Sequence, residues 1–242
     1  GGAPGAAASR LDLPALTADG STMIFTRRDG YDENFYSSAR QPDGSWGRAE
    51  YFTGVNTTQN EGAQAINTDG VWFVFTACNR RDDGSQGSCD LYWSQFKDGA
   101  WTKPIPFSSA VNSKDWDAQP SISPDSKTLY FSSTRPGGKV FRYEGGRRWT
   151  DCGQLDDGWG IHCMTSFNGT LYATPIYQHF VYAYRGGATW EKTGPDARVM
   201  AMGVWNGHLY ALTSGRDAIY RMDAAGRWEE CVRLPNVSQY YS

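Results

Sequence analysis

Internal repetition constrains this chain more than any other feature. A turn followed by tryptophan recurs at DGSW (Trp46), DGAW (Trp101), GGRRW (Trp149), GGATW (Trp190) and AAGRW (Trp228). A second marker, a two-residue turn ahead of an aromatic or apolar strand, recurs at Asp19-Gly20, Asp69-Gly70, Asp125-Ser126, Asn168-Gly169 and Asn206-Gly207. Asp-Gly and Asn-Gly between apolar runs favour type I′ hairpin turns, whose two central residues both need positive φ. Successive tryptophans stand 38 to 55 residues apart, the length of one propeller blade. Five copies of each marker predict five units.

Each unit reads as four short strands. The expected inner strands are 13–18, 62–68, 119–123, 162–167 and 199–205. The second strands follow the two-residue turns, and alternation is visible in them at Met23 and Phe25, Phe73 and Phe75, and Leu129 and Phe131. A lone four-stranded meander leaves two faces and two edges open, and radial stacking buries the faces. The sequence therefore predicts an all-β, five-bladed β-propeller of four-stranded antiparallel meanders. Its blades are expected at about 11–55, 60–110, 115–156, 160–196 and 198–235. A linker is expected at 1–10 and a tail at 236–242. The repeated tryptophans are expected in the joints between blades. No late strand completes blade 1, so closure is expected to rest on blade 1 packing against blade 5.

Composition agrees and excludes several classes. Aromatics make up 14% of the 242 residues, with 28 glycines and only 20% charged side chains, which suits short packed strands. A net charge of −3 without a basic stripe argues against a nucleic-acid partner. No run of about 18 apolar residues marks a membrane span.

Two repeat patterns are present. The stretches NTTQNEGAQAINTDG, VNSKDWDAQPSISPDS and LYFSSTRPGG resemble the TolB-type, WD40-like repeats of bacterial envelope proteins, over about 13–138. From Val140, the stretches LYATPIYQHFVYAYRGGATWEKTG and LYALTSGRDAIYRMDAAGRWEEC resemble a second, shorter repeat of Kelch or tachylectin style. Blade 3 reads as a hybrid, and the expectation is a chimeric, engineered or recombined, fusion. The first resemblance implies an envelope or secreted setting.

Candidate chemistry is sparse. Glu61 and Asp117 each stand eight residues before their turn aspartate. With Gln64, Asp115 and Gln119 they are candidates for a polar-ligand site at the channel mouth. The alternative is that the acids cap the loops leading into their blades. At the equivalent position blades 4 and 5 carry Gly160 and Arg198. Cys78 and Cys89 flank one hairpin loop and could bridge across it, and five cysteines leave at least one thiol over. No Cys/His spacing suggests a metal, and no cofactor is expected. His162, His179 and His208 are scattered. Asn56, Asn168 and Asn236 open glycosylation sequons. The leading expectation is a non-enzymatic scaffold or binding module, with a small polar ligand and self-association as its candidate partners. A lectin-like glycan binder is the alternative, and a glycosidase using Asp117 and Glu61 is the third reading.

Overall fold

The computed structural model describes residues 10–233 apart from Ala18, Asp82, Asp83, Pro136, Asp157, Trp159, Arg216 and Asp217; of 10–13 and 29 only the backbone is described. The expected tail at 236–242, and the linker apart from Arg10, lie outside the described residues.

The protein is a five-bladed β-propeller. Blade 1 holds β1 (Arg10–Leu16), β2 (Thr22–Asp29), β3 (Asp32–Ala39) and β4 (Glu50–Tyr51). Blade 2 holds β5 (Asn60–Ile66), β6 (Trp72–Cys78), β7 (Cys89–Lys97), β8 (Ala100–Trp101) and β9 (Ile105–Pro106). Blade 3 holds β10 (Asp117–Ile122), β11 (Leu129–Ser133), β12 (Lys139–Tyr143) and β13 (Trp149–Asp151). Blade 4 holds β14 (Ile161–Phe167), β15 (Thr170–Pro175), β16 (Val181–Gly186) and β17 (Thr189–Gly194). Blade 5 holds β18 (Arg198–Trp205), β19 (His208–Ser214), β20 (Ala218–Met222) and β21 (Trp228–Arg233). Each sheet is an antiparallel meander, and among the described residues no strand is shared between sheets. Closure follows the expectation, with β1 packed against β18.

Three details depart from the sequence reading. In blades 1 to 3 the inner strands begin earlier than expected. Arg10 opens β1 rather than ending a linker, and β10 starts at Asp117. Every inner strand slips register against its neighbour once, between Asp12 and Ala15, Gly62 and Gln64, Ala118 and Ser121, Ile161 and Cys163, and Val199 and Ala201. A bulge of this kind breaks the period of two, which hides the strand's first half from pattern reading. The outer edge of blade 2 is split into β8 and β9 around Pro104, which has no N–H to offer a ladder.

The third departure concerns the inner turns. Asn168-Gly169 and Asn206-Gly207 have φ of 47° and 76°, and 48° and 72°, as a type I′ turn requires. Of the marker pairs in blades 1 to 3 only the second residue, Gly20, Gly70 or Ser126, has positive φ, and the turn is longer. There the N–H of each donates to the carbonyl of Thr17, Asn67 or Ser123, while the aspartate side chain takes a following N–H. Blades 1 to 3 therefore share one turn chemistry and blades 4 and 5 another.

The core lies in the joints. Ile24 and Phe35 meet Phe73, Phe75 and Tyr92 between blades 1 and 2. Leu91 meets Val111, Phe131 and Phe141 in the next joint. Val140 and Cys152 meet Ile161, Leu171 and Tyr182 in the third. Cys163, Tyr172 and Val181 meet Val199, Leu209 and Met222 in the fourth. Each such side chain contributes roughly 1.5–3 kcal/mol on burial. Three repeated tryptophans reach back to the preceding blade. Trp101 packs on Phe52 at 6.2 Å, Trp190 donates from Nε1 to the Cys152 carbonyl at 2.8 Å, and Trp228 donates to Thr193 at 3.4 Å.

Candidate functional site

One side-chain assembly occurs twice in the ring, where blades 2 and 3 begin. Its parts are Val55-Asn56-Thr57 with Glu61 and Arg80, and Val111-Asn112-Ser113 with Asp117 and Arg135. The asparagine belongs to the loop between blades and clamps the blade behind it. Asn56 accepts from Phe35 N at 2.9 Å and donates to Phe35 O at 2.8 Å. Asn112 accepts from Leu91 N at 2.8 Å and donates to Leu91 O at 3.0 Å.

The following hydroxyl residue turns the chain into the inner strand. Thr57 donates from its backbone N and from Oγ1 to Glu61, at 3.1 and 2.5 Å. Ser113 donates to Asp117 likewise, at 2.6 and 2.7 Å. The acids thus cap the loops, the alternative that the sequence left open.

An arginine just past the end of the second strand completes each assembly. Arg80 donates from Nε and Nη2 to one Glu61 oxygen, at 3.0 and 2.8 Å, and from Nη2 to Val55 O at 2.5 Å. Arg135 donates to Asp117 at 3.1 Å and also to Val111 O. Glu61 and Asp117 are both 0% exposed. Arg80 stacks over Phe75 and Tyr92, and Arg135 over Phe131, Phe141 and Trp149. Blade 2 has one more residue than blade 3 before its arginine, and Asn79 absorbs it with φ of 58°.

The other candidates sit around this frame. Gln64 donates to Ile24 O and accepts from Thr26, so it ties blade 2 to blade 1. The Gln119 N–H donates to Thr76, and Asp115 N donates to Ser113 Oγ. Cys78 and Cys89 form a disulfide across the 79–88 loop, between directly paired residues of β6 and β7. That loop rests on the blade 2–3 connection, where a Cβ at Gly87 would collide with the Ser113 and Asp115 carbonyls. Asp90 holds the loop's Gln86 and Gly87 N–H groups, and burial pushes its carboxyl above the usual range.

An open polar cleft of about 810 Å³ lies over the first assembly, lined by Thr57, Thr58, Gln59, Asn79, Arg80 and Arg81. Arg81 is exposed. Among the described residues no cluster of His, Cys, Asp or Glu is suited to a metal ion. His179 pairs with Asp196 at 3.0 Å, and His162 and His208 belong to different blades. The Asn56 amide is engaged on both sides and Asn168 stands in a hairpin turn, while Asn236 lies outside the described residues.

The arginines were the partners that sequence reading missed. The signal was present: Val-Asn-Thr/Ser precedes an acid by four residues in both blades, and an arginine follows the end of both second strands.

The β-propeller domain of DUF6242 matches residues 99–240, more than half of the chain. The chain belongs to the DUF6242 β-propeller family. No curated protein matches it in sequence. Its fold is shared with TolB from Acinetobacter baumannii, at 17% identity and a TM-score of 0.60 over 91% of this chain. It is shared also with virginiamycin B lyase from Staphylococcus aureus, at 14% identity and 0.61 over 95% of this chain and 86% of that one. A gluconolactonase from Xanthomonas campestris gives 15% and 0.61, covering 95% and 78%. The chain spans 53% of the TolB chain. These likenesses concern the fold alone. The DUF6242 match spans Gly138.

Proposed function

We propose that this DUF6242 propeller is a non-catalytic binding module whose polar ligand, a glycan being the favoured class, occupies the cleft beside Arg80 and Arg81. The observation that carries this is the fate of Glu61 and Asp117. Each is fully buried and spent on an arginine and a loop cap, which leaves neither poised at a solvent-facing position as acid or base. The same bonds fix the loop bearing Thr57, Thr58 and Gln59. Hydroxyl, amide and guanidinium groups on a rigid rim suit a hydroxyl-rich ligand. The disulfide supports an oxidising setting. A join of two lineages within blade 3 rests on the change of inner-turn chemistry between blades 1 to 3 and blades 4 and 5. Self-association remains part of the proposal.

A panel of neutral oligosaccharides titrated by calorimetry tests the reading. Binding that Arg81→Ala and Gln59→Ala each weaken about tenfold, or about 1.4 kcal/mol, is the expected result. No binding at millimolar sugar overturns the cleft as a glycan site. Hydrolysis of aryl glycosides that vanishes in Asp117→Asn overturns the non-catalytic reading.

A further inference from the structure

The hairpin joining the third and fourth strands follows one plan in blades 3, 4 and 5. Glu144-Gly145-Gly146-Arg147-Arg148-Trp149, Arg185-Gly186-Gly187-Ala188-Thr189-Trp190 and Asp223-Ala224-Ala225-Gly226-Arg227-Trp228 align residue for residue. Glu144 N donates to Arg148 O at 2.9 Å, and Asp223 N donates to Arg227 O at 2.8 Å. Blades 3 and 5 thus close the turn with the same backbone bond.

In blades 4 and 5 the arginines of this hairpin are answered by nearby acids. Arg185 pairs with Glu191 at 2.6 Å, and Arg227 pairs with Asp223 at 2.9 Å. Arg221, just before the blade 5 hairpin, has Glu229 directly across the ladder and pairs with it. Blade 3 departs from this at Thr150, which stands across from Arg142 where blade 5 has its glutamate. Arg142 takes Glu144 instead. The Glu144 Oε1 accepts from Arg142 Nε at 2.7 Å and from Thr150 Oγ1 at 2.8 Å. Arg148 therefore lacks the partner that Arg227 has. Arg147 adds a second cation where the other two hairpins carry Ala188 and Gly226. Among the described residues neither guanidinium makes a hydrogen bond or an ion pair.

The tryptophan changes with them. Trp190 and Trp228 spend their indole N–H on the preceding blade. Trp149 packs on Phe141 and Arg135 of its own blade and is 40% exposed, and its N–H has no acceptor among the described residues. An open cleft of about 630 Å³ lies at this hairpin, lined by Glu144, Arg147, Arg148, Trp149 and Thr150. Arginine and the indole N–H donate and do not accept. Glu144 shares the wall, but Arg142 answers its charge, so the two remaining arginines leave the cleft positive.

A planar carboxylate is filled by one guanidinium fork, whereas a sulfate or phosphate ester presents three acceptor oxygens out of one plane and can take both arginines. We propose that this cleft is a second binding site, for a tetrahedral oxyanion: a sulfate or phosphate monoester carried by the ligand. Arg147 and Arg148 recognise the charge, and Trp149 adds a neutral donor. The site shares no residue with the cleft beside Arg81 and stands independently of it.

Calorimetric titration with glucose 6-sulfate, glucose 6-phosphate, glucuronate and glucose tests the proposal. At least one ester is expected to bind about tenfold or more tighter than glucuronate and glucose, and less tightly as salt rises. The tighter ester identifies the source of the oxyanion. Arg147→Ala and Arg148→Ala are each expected to weaken the ester about tenfold, and Arg148→Lys to keep part of the binding. Thr150→Glu restores the blade 5 arrangement, freeing Glu144 for Arg148, and is expected to abolish ester binding with both arginines in place. Arg185→Ala, in the matching hairpin of blade 4, is expected to change nothing. Absence of ester binding at millimolar concentration, equal or tighter binding of glucuronate or glucose, or full ester binding in the double variant Arg147→Ala with Arg148→Ala would each overturn it. Near-ultraviolet circular dichroism of each variant checks that the fold is intact.

Discussion

Arg80 directs both Nε and Nη2 at a single oxygen of Glu61, in a site where the two side chains are 4% and 0% exposed. Removing one partner of such a pair strands the other as an uncompensated buried charge, a loss of about 3–5 kcal/mol. Arg80→Ala is expected to lower unfolding stability by that amount in urea. The double variant Arg80→Met with Glu61→Gln is expected to recover most of it. Equal losses in the single and double variants would count against the pair as the cause.

The asparagine clamps should act as separate fasteners. Asn56→Ala and Asn112→Ala each leave a backbone N–H of the preceding blade, at Phe35 or Leu91, without its partner, worth about 1–3 kcal/mol apiece, while the two carbonyls keep the N–H of Phe52 or Phe107. The clamps serve different joints, so the double variant should lose nearly the sum. Denaturant midpoints of the three variants check this.

The cysteines give a chemical readout. Cys152 and Cys163 are buried, Cys231 is exposed, and Cys78 is bonded to Cys89. A thiol reagent should label Cys231 alone in the native protein and all three free cysteines after denaturation. Burial pushes the Cys163 thiol up to about 12, which reinforces its inertness. Replacing Cys78 and Cys89 by serine should lower stability by about 3 kcal/mol on the loop-entropy account.

Acid should act on two sets of aspartates with opposite signs. Asp19 is drawn down to about 2, chiefly by the Thr17 hydroxyl, and Asp125 is lowered chiefly by the Ser123 hydroxyl. Their folded values lie below their unfolded ones. Their contribution is therefore present above the ordinary aspartate value of 3.8 and lost as pH falls through their folded values, about 2 for Asp19. Asp90 is raised, chiefly by burial, so its protonated form suits the fold and stability declines as pH rises through its folded value. Asp19→Asn should flatten the acid limb of the stability curve. Asp90→Asn should gain on the wild type as pH rises toward neutrality. Urea midpoints across pH read both.

Tyr177, with φ of 61°, offers a test of backbone strain. Glycine at that φ relieves the Cβ contact that alanine keeps, a difference of about 1 kcal/mol. Tyr177→Gly should be more stable than Tyr177→Ala by that margin in thermal denaturation.

Blade number was legible from the sequence because the chemistry of hairpin turns is local. Asn168-Gly169 and Asn206-Gly207 announce their own conformation. The bulges were not legible, since a slip such as that between Gly62 and Gln64 erases the alternation by which a strand is recognised. Glu61 and Asp117 stood out as a repeated pair of acids, and their spacing was compatible with both a channel site and a loop cap. Geometry resolves their immediate role through Arg80 and Arg135, which lie just past the end of the neighbouring strand at unequal offsets from the acids. The stacking of Tyr177 on Arg198 joins two blades, and no local pattern in either blade carries it.

Each of the five sheets satisfies its own hydrogen-bond ladder. The circumference is consequently not quantised by strand stagger, as it is in a closed barrel. What fixes the count is the wedge angle at each joint, set by side chains such as Phe73, Leu91, Tyr182 and Leu209. A lineage built on this plan can gain or lose a whole sector by retuning a few packing residues, with every ladder left as it was.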